Sequence, residues 1–159
     1  MPSEQAGTLL LDTLTAIVIL AVIFACVFPN YQRAALEGNI ALEAQQLQQQ
    51  AAAATLYAND QHGVFPTVPG YQPVASTLGT EFLPIVPAPA IGGGGSFDFA
   101  PTPENGASFE IVDTNALTNS GAYEASLFSA YTRADQSACT AGDFFAIDNV
   151  DGVHCAPGN

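Results

Sequence analysis

The chain has 159 residues and carries 15 acidic side chains against two basic ones, a formal net charge of −13. That length holds one domain and an anchor but not two independent cores, and Arg33 and Arg133 alone cannot line a basic nucleic-acid groove. Only 11% of residues are charged and 48% are apolar, which excludes a charge-rich disordered chain.

Residues 1–7 (MPSEQAG) are polar. Thr8–Phe28 then runs TLLLDTLTAIVILAVIFACVF, with Asp12 as its single charge and an unbroken apolar stretch from Ala16. As a helix rising about 1.5 Å per residue it spans roughly 30 Å, the thickness of a hydrocarbon core. Apolar side chains all round predict burial in lipid or among other helices. A cleaved signal peptide would need a basic start and a small-x-small site, and neither is present. A plain signal anchor accounts for the hydropathy but not for Asp12. A charge in a spanning segment is costly, by roughly 2.5–3.5 kcal/mol at the helix centre and less near an end.

Beyond Pro29 the pattern stays helical and becomes amphipathic, with Tyr31, Leu36, Ile40, Leu47, Ala54 and Tyr57 among its apolar positions. The predicted product is one helix from about Thr8 to Ala58, apolar over 8–29 and amphipathic over 30–58. Pro29 is expected to kink or locally unwind it, since proline lacks an N–H and crowds the preceding turn. Gly38 reads as a second soft point. Glu37, Glu43 and a glutamine cluster (Gln45, Gln46, Gln48, Gln49, Gln50) fill the remaining positions, and the glutamines read as a solvated face.

Asn59–Gly63 (NDQHG) stops the helix. Residues 59–96 are rich in proline and glycine and read as loop. Pro84, Pro87 and Pro89 exclude regular helix around them, and Gly92–Gly95 reads as a flexible turn. A phosphate-binding role for those glycines fails for want of a lysine and a following helix.

Residues 97–159 read as a β-rich head. Phe97–Phe99, Ser108–Val112, Ala122–Tyr131 and Phe144–Ile147 are the candidate strands. Turn signals at Asn105-Gly106, Asn119-Ser120-Gly121 and Ala141-Gly142-Asp143 separate them. Successive strands with short turns predict an antiparallel sheet, one face covered by the amphipathic half of the helix: an α+β fold.

Cys139 and Cys155 lie close together in a loop-rich stretch, while Cys26 is inside the apolar run. A Cys139–Cys155 disulfide would close a short loop and requires an oxidising compartment; two unrelated free thiols are the alternative. His154 adjoins Cys155, but no second ligand pair accompanies it, so zinc is not supported. Asp148–Gly152 (DNVDG) gathers oxygen donors without the EF-hand spacing and reads as an Asx-rich turn rather than a calcium loop. His62 and His154 have no nucleophile motif beside them. No catalytic residue, metal or cofactor is assigned, and an enzyme is not expected.

Gly7-Thr8-Leu9-Leu10-Leu11-Asp12 resembles the processing site of type IV prepilins: a glycine, an apolar stretch, and an acid five places beyond. In that family a dedicated peptidase cuts after the glycine and the new N-terminus is methylated. Pro29 and Tyr31 fall where pilins place a helix-breaking proline and a following tyrosine. Leu56–Pro66 (LYANDQHGVFP) is similar to the end of the long helix in pilins and pseudopilins, and a C-terminal disulfide loop is common there. This chain departs in having Asp12 for the usual glutamate, Thr8 for the usual phenylalanine, and no basic residue in the leader.

The resemblance implies a leader over 1–7, cleavage between Gly7 and Thr8 by prepilin peptidase, and a stage in the inner membrane. Pilus machinery would then build a helical homopolymer of this chain, an extracellular filament on the cell surface. Asp12 would pair with the α-amino group of Thr8 on a neighbouring subunit, and Pro29 would act as a joint during assembly. Two alternatives stand beside it. One is a minor pilin or pseudopilin working as a binding module in secretion, adhesion or DNA uptake. The other is a membrane-anchored exported domain that never polymerises.

Overall fold

A computed structural model describes residues 3–91, 95–102, 105–115, 117, 122–133 and 136–158, with the side chains of 3–10 and 122–124 outside the description. Two compact units are present, Met1–Glu37 and Gly38–Asn159. The fold is α+β, a long N-terminal helix with a small five-stranded antiparallel sheet.

Helix α1 covers Ser3–Asp60. It continues through Pro29 without interruption, so the expected unwinding there does not occur. Next to Pro29, the side-chain amide of Asn30 donates to the Cys26 carbonyl at 3.1 Å. The helix ends as the NDQHG signal predicts. Gly63 N–H closes on the Ala58 carbonyl at 2.7 Å, while His62 takes the left-handed conformation that glycine more commonly supplies at a helix end.

In the second unit the helix buries one stripe: Ile40, Glu43, Ala44, Leu47, Gln50 and Ala54, at helical spacing. This corrects the solvated-face reading for Gln50. Gln45, Gln48 and Gln49 are exposed, but Glu43 and Gln50 are fully buried because the 3.6-residue period places them on the same side as Ile40 and Leu47.

The segment between helix and sheet is not all loop. A two-residue strand β1 (Gln72–Pro73) is followed by helix α2 (Val74–Phe82). The helix buries Val74 and Leu78 and bends at Gly79, whose φ is 68°. The ring of Tyr57 in α1 meets Phe82 edge-on at 5.3 Å. Of the predicted Gly92–Gly95 turn, residues 92–94 lie outside the described residues.

The sheet runs β1-β2-β3-β4-β5 in chain order, with β2 Phe97–Phe99, β3 Glu110–Asp113, β4 Phe144–Asp148 and β5 Val153–Ala156. All neighbours pair antiparallel. The pairing places Phe97, Phe99, Ile111, Asp113 and Phe145 on one face and Val112, Phe144, Ala146 and Ala156 on the other. The first face carries the large buried side chains of the core, and a smaller cluster of Ala100, Val112, Ala146 and Ala156 lies on the second.

Ala122–Tyr131 is not a strand. It forms helix α3 (Ala122–Phe128) and a 3-10 turn (Ser129–Tyr131). Ala125 and Phe128 are buried three residues apart, a helical rather than alternating spacing, and the Phe128 ring packs on Phe145 at 4.8 Å. The turn predicted at Asn119-Ser120-Gly121 lies outside the described residues. Cys139 and Cys155 are joined by a disulfide with Cα atoms 5.5 Å apart, fixing β5 to the segment after the 3-10 turn.

Candidate membrane and assembly segment

Thr13–Gln32 contains no charged residue, and the helix of which it is part is long and apolar enough to cross a membrane. From Leu11 to Phe28 every large apolar side chain is between 51% and 68% exposed. Among the described residues of the first unit, these apolar side chains are exposed on every side of the helix. A patch of that extent marks a membrane or protein contact. Two polar side chains in and beside it, Thr15 and Asn30, turn onto the helix backbone. Thr15 Oγ1 donates to the Leu11 carbonyl at 2.7 Å, just as Asn30 donates to Cys26. These bonds satisfy the hydroxyl and the amide within the helix itself. Cys26 is a free, exposed thiol.

Asp12 is exposed at the N-terminal end of this surface, and Pro29 and Tyr31 are exposed at the other end. Gly7 and Thr8 lie within α1, one turn before Asp12, with their side chains outside the described residues. The predicted residues Gly7, Thr8, Asp12 and Pro29 therefore share one helix, and Cys139 and Cys155 share one bond in the head.

The head contains two polar arrangements that the sequence did not single out. The first joins α1 to the end of β3. Glu43 and Asp113 are both fully buried and interact through their carboxyl groups. Ala90 N–H donates to Glu43 Oε2 at 2.6 Å, and Asn115 N–H to Asp113 Oδ1 at 2.9 Å. Burial, and then the Asp113 charge, push the Glu43 carboxyl up to about 8 from its ordinary 4.5. The available signal was the position of Glu43 between Ile40 and Leu47 on the apolar stripe.

The second arrangement joins β5 to β3. His154 Nε2 lies 3.2 Å from Glu110 Oε1, and Nδ1 lies 2.9 Å from the Gly152 carbonyl. Burial opposes the imidazolium. The Glu110 hydrogen bond, the Gly152 carbonyl and the Asp148 and Glu110 charges outweigh it, so the net shift is upward.

Beside it is an open cleft of about 270 Å³ lined by Thr102, Phe109, Glu110, Asp148 and Asp151, among others. Asp148 Oδ1 accepts from the N–H groups of Val150, Asp151 and Gly152, the Asx-rich turn expected for DNVDG. Among the described residues no three His, Cys, Asp or Glu side chains converge as metal ligands.

No protein-family model, curated protein or solved structure matches this chain.

Proposed function

We propose that this chain is the structural subunit of an extracellular type IV pilus-like filament, held in the inner membrane by its N-terminal helix before assembly and packed through that helix afterwards. The observation that carries this reading is the uncovered apolar surface from Leu11 to Phe28, headed by a lone carboxylate at Asp12 and followed by a disulfide-closed α+β head.

In the membrane the helix is surrounded by lipid. In a filament it exchanges lipid for the helices of neighbouring copies. Apolar surface is buried in both states, so close packing and specific polar pairs decide between them. An Asp12 carboxylate against the α-amino group of Thr8 on a neighbour sets register, because a carboxylate left unpaired in a dry core is strongly disfavoured. That pairing requires removal of residues 1–7 by prepilin peptidase.

The head's shortage of basic residues favours a homopolymer over a nucleic-acid-binding tip. The disulfide supports an oxidising compartment for the head. The test is to shear cells producing the chain and examine the released fraction by electron microscopy and intact mass. Filaments composed of a chain that starts at Thr8 support the proposal. A monomer confined to the membrane and retaining Met1 supports the non-polymerising anchored domain instead.

A further inference from the structure

Glu43 is presented by α1 and Asp113 by β3, and neither side chain has any exposed surface. The cross-strand neighbours of Asp113 are Phe97 and Phe145, and the stripe neighbours of Glu43 are Ile40, Ala44 and Leu47. Apolar side chains therefore flank both carboxyls, and the buried amide of Gln50 lies on the same stripe of α1. Asp113 is the titratable group acting on Glu43, and the covering segment contributes the backbone N–H groups of Ala90 and Ile91.

Two ionised carboxyls in such a site would repel each other with little screening. Glu43 Oε1 is buried without an N–H or O–H donor, and a proton held between it and Asp113 provides one. The same glutamate accepts the Ala90 N–H, so it fastens a third piece of chain. That piece, Pro84–Ile91, has no regular secondary structure and connects α2 towards β2.

We propose that Glu43 and Asp113 share one proton and form a latch that holds α1 and the Pro84–Ile91 segment against the end of β3, and that the latch loosens as the proton is withdrawn. This inference concerns the head alone and does not rest on the filament reading.

The direction follows from linkage. Glu43 is protonated in the closed head up to about pH 8 and in the opened chain only up to its ordinary 4.5. Closure therefore takes up a proton between these limits. Its contribution is full below about 4.5, declines as pH rises towards 8, and levels off above.

The experiment is hydrogen exchange of the full chain in detergent micelles from pH 5 to 9, corrected for the intrinsic pH dependence of exchange. In the native chain, opening of the Pro84–Ile91 segment should increase by up to tenfold per pH unit across the middle of this range and then flatten. Glu43→Gln imitates the protonated side chain. Its carbonyl accepts from Ala90 and its amide donates to Asp113, so opening should lose its dependence on pH. An equal slope in the native chain and Glu43→Gln would overturn the latch. If that variant fails to fold, ¹³C carboxyl titration of the native chain decides. Retention of one proton by the pair at pH 7 supports the proposal, and two ionised carboxylates at that pH overturn it.

Discussion

The imidazole of His154 bridges two acceptors, with Nε2 3.2 Å from Glu110 Oε1 and Nδ1 2.9 Å from the Gly152 carbonyl. A neutral ring can donate to only one of them, whereas the imidazolium donates to both. Its titration is accordingly shifted upward in the folded head. Stability from this pair is full below the unfolded value near 6.5 and is lost as pH rises through the folded value. His154→Gln should remove that part of the stability loss above pH 6.5, read from denaturant melts of the head at pH 5.5 and pH 8. An unchanged pH dependence in the variant would show that the imidazolium contributes nothing.

The Cys139–Cys155 bond closes a loop with a sequence separation of 16. In the chain-entropy model a loop of this length stabilises by about 3 kcal/mol. Cys139 N–H also donates to Ser129 Oγ at 2.9 Å, so the bond and the 3-10 turn support each other. A Cys139→Ser, Cys155→Ser double variant should lose about 3 kcal/mol in equilibrium unfolding. Exposure of β5 and the 3-10 turn to proteolysis should rise with it.

Gly106 has φ +62°, and its carbonyl accepts the Phe65 N–H at 2.9 Å. A Cβ there would press on a Val64 methyl group and lie 2.9 Å from the Phe65 carbonyl oxygen. Gly106→Ala combines left-handed strain with this crowding and should cost about 1–3 kcal/mol. Thermal unfolding of the purified chain measures it. A loss below about 0.5 kcal/mol would mean the segment after α1 shifts freely.

Asp12 should matter to assembly and not to insertion. Asp12→Ala removes the charge from an otherwise apolar surface, so membrane fractionation should find the variant retained at native levels while sheared filaments disappear. Filaments at normal yield from Asp12→Ala would refute a register-setting role.

Much of this architecture was legible in the residues. The helix was predicted from an uninterrupted apolar run followed by helical spacing, and its end from NDQHG. Phe97–Phe99 and Phe144–Ile147 were readable as strands, and Ser108–Val112 locates β3 to within two residues, because apolar and aromatic side chains are bounded by turn formers there. Helix α2 was hidden because Pro73 and Gly79 bracket its short apolar pattern, yet Val74 and Leu78 stand one helical turn apart. Ala122–Tyr131 misled because its aromatic ends suggest a strand, while tertiary burial follows Ala125 and Phe128. Strand β5 was read as part of a disulfide loop, since Val153–Ala156 includes only two strongly apolar positions. The partner of Glu43 was not legible at all. Asp113 is 70 positions away, and only the sheet register brings it to the same face.

Under the proposed function, the exposed surface from Leu11 to Phe28 packs copies of this chain together. The most direct measurement of this packing is a helical reconstruction of filaments at side-chain resolution. The expected map has these side chains in a dry central core, Asp12 within hydrogen-bonding distance of a neighbour's Thr8 α-amino group, and heads on the outside. Filaments held together by the heads, with the Leu11–Phe28 surface outside the core or the chain beginning at Met1, would contradict it.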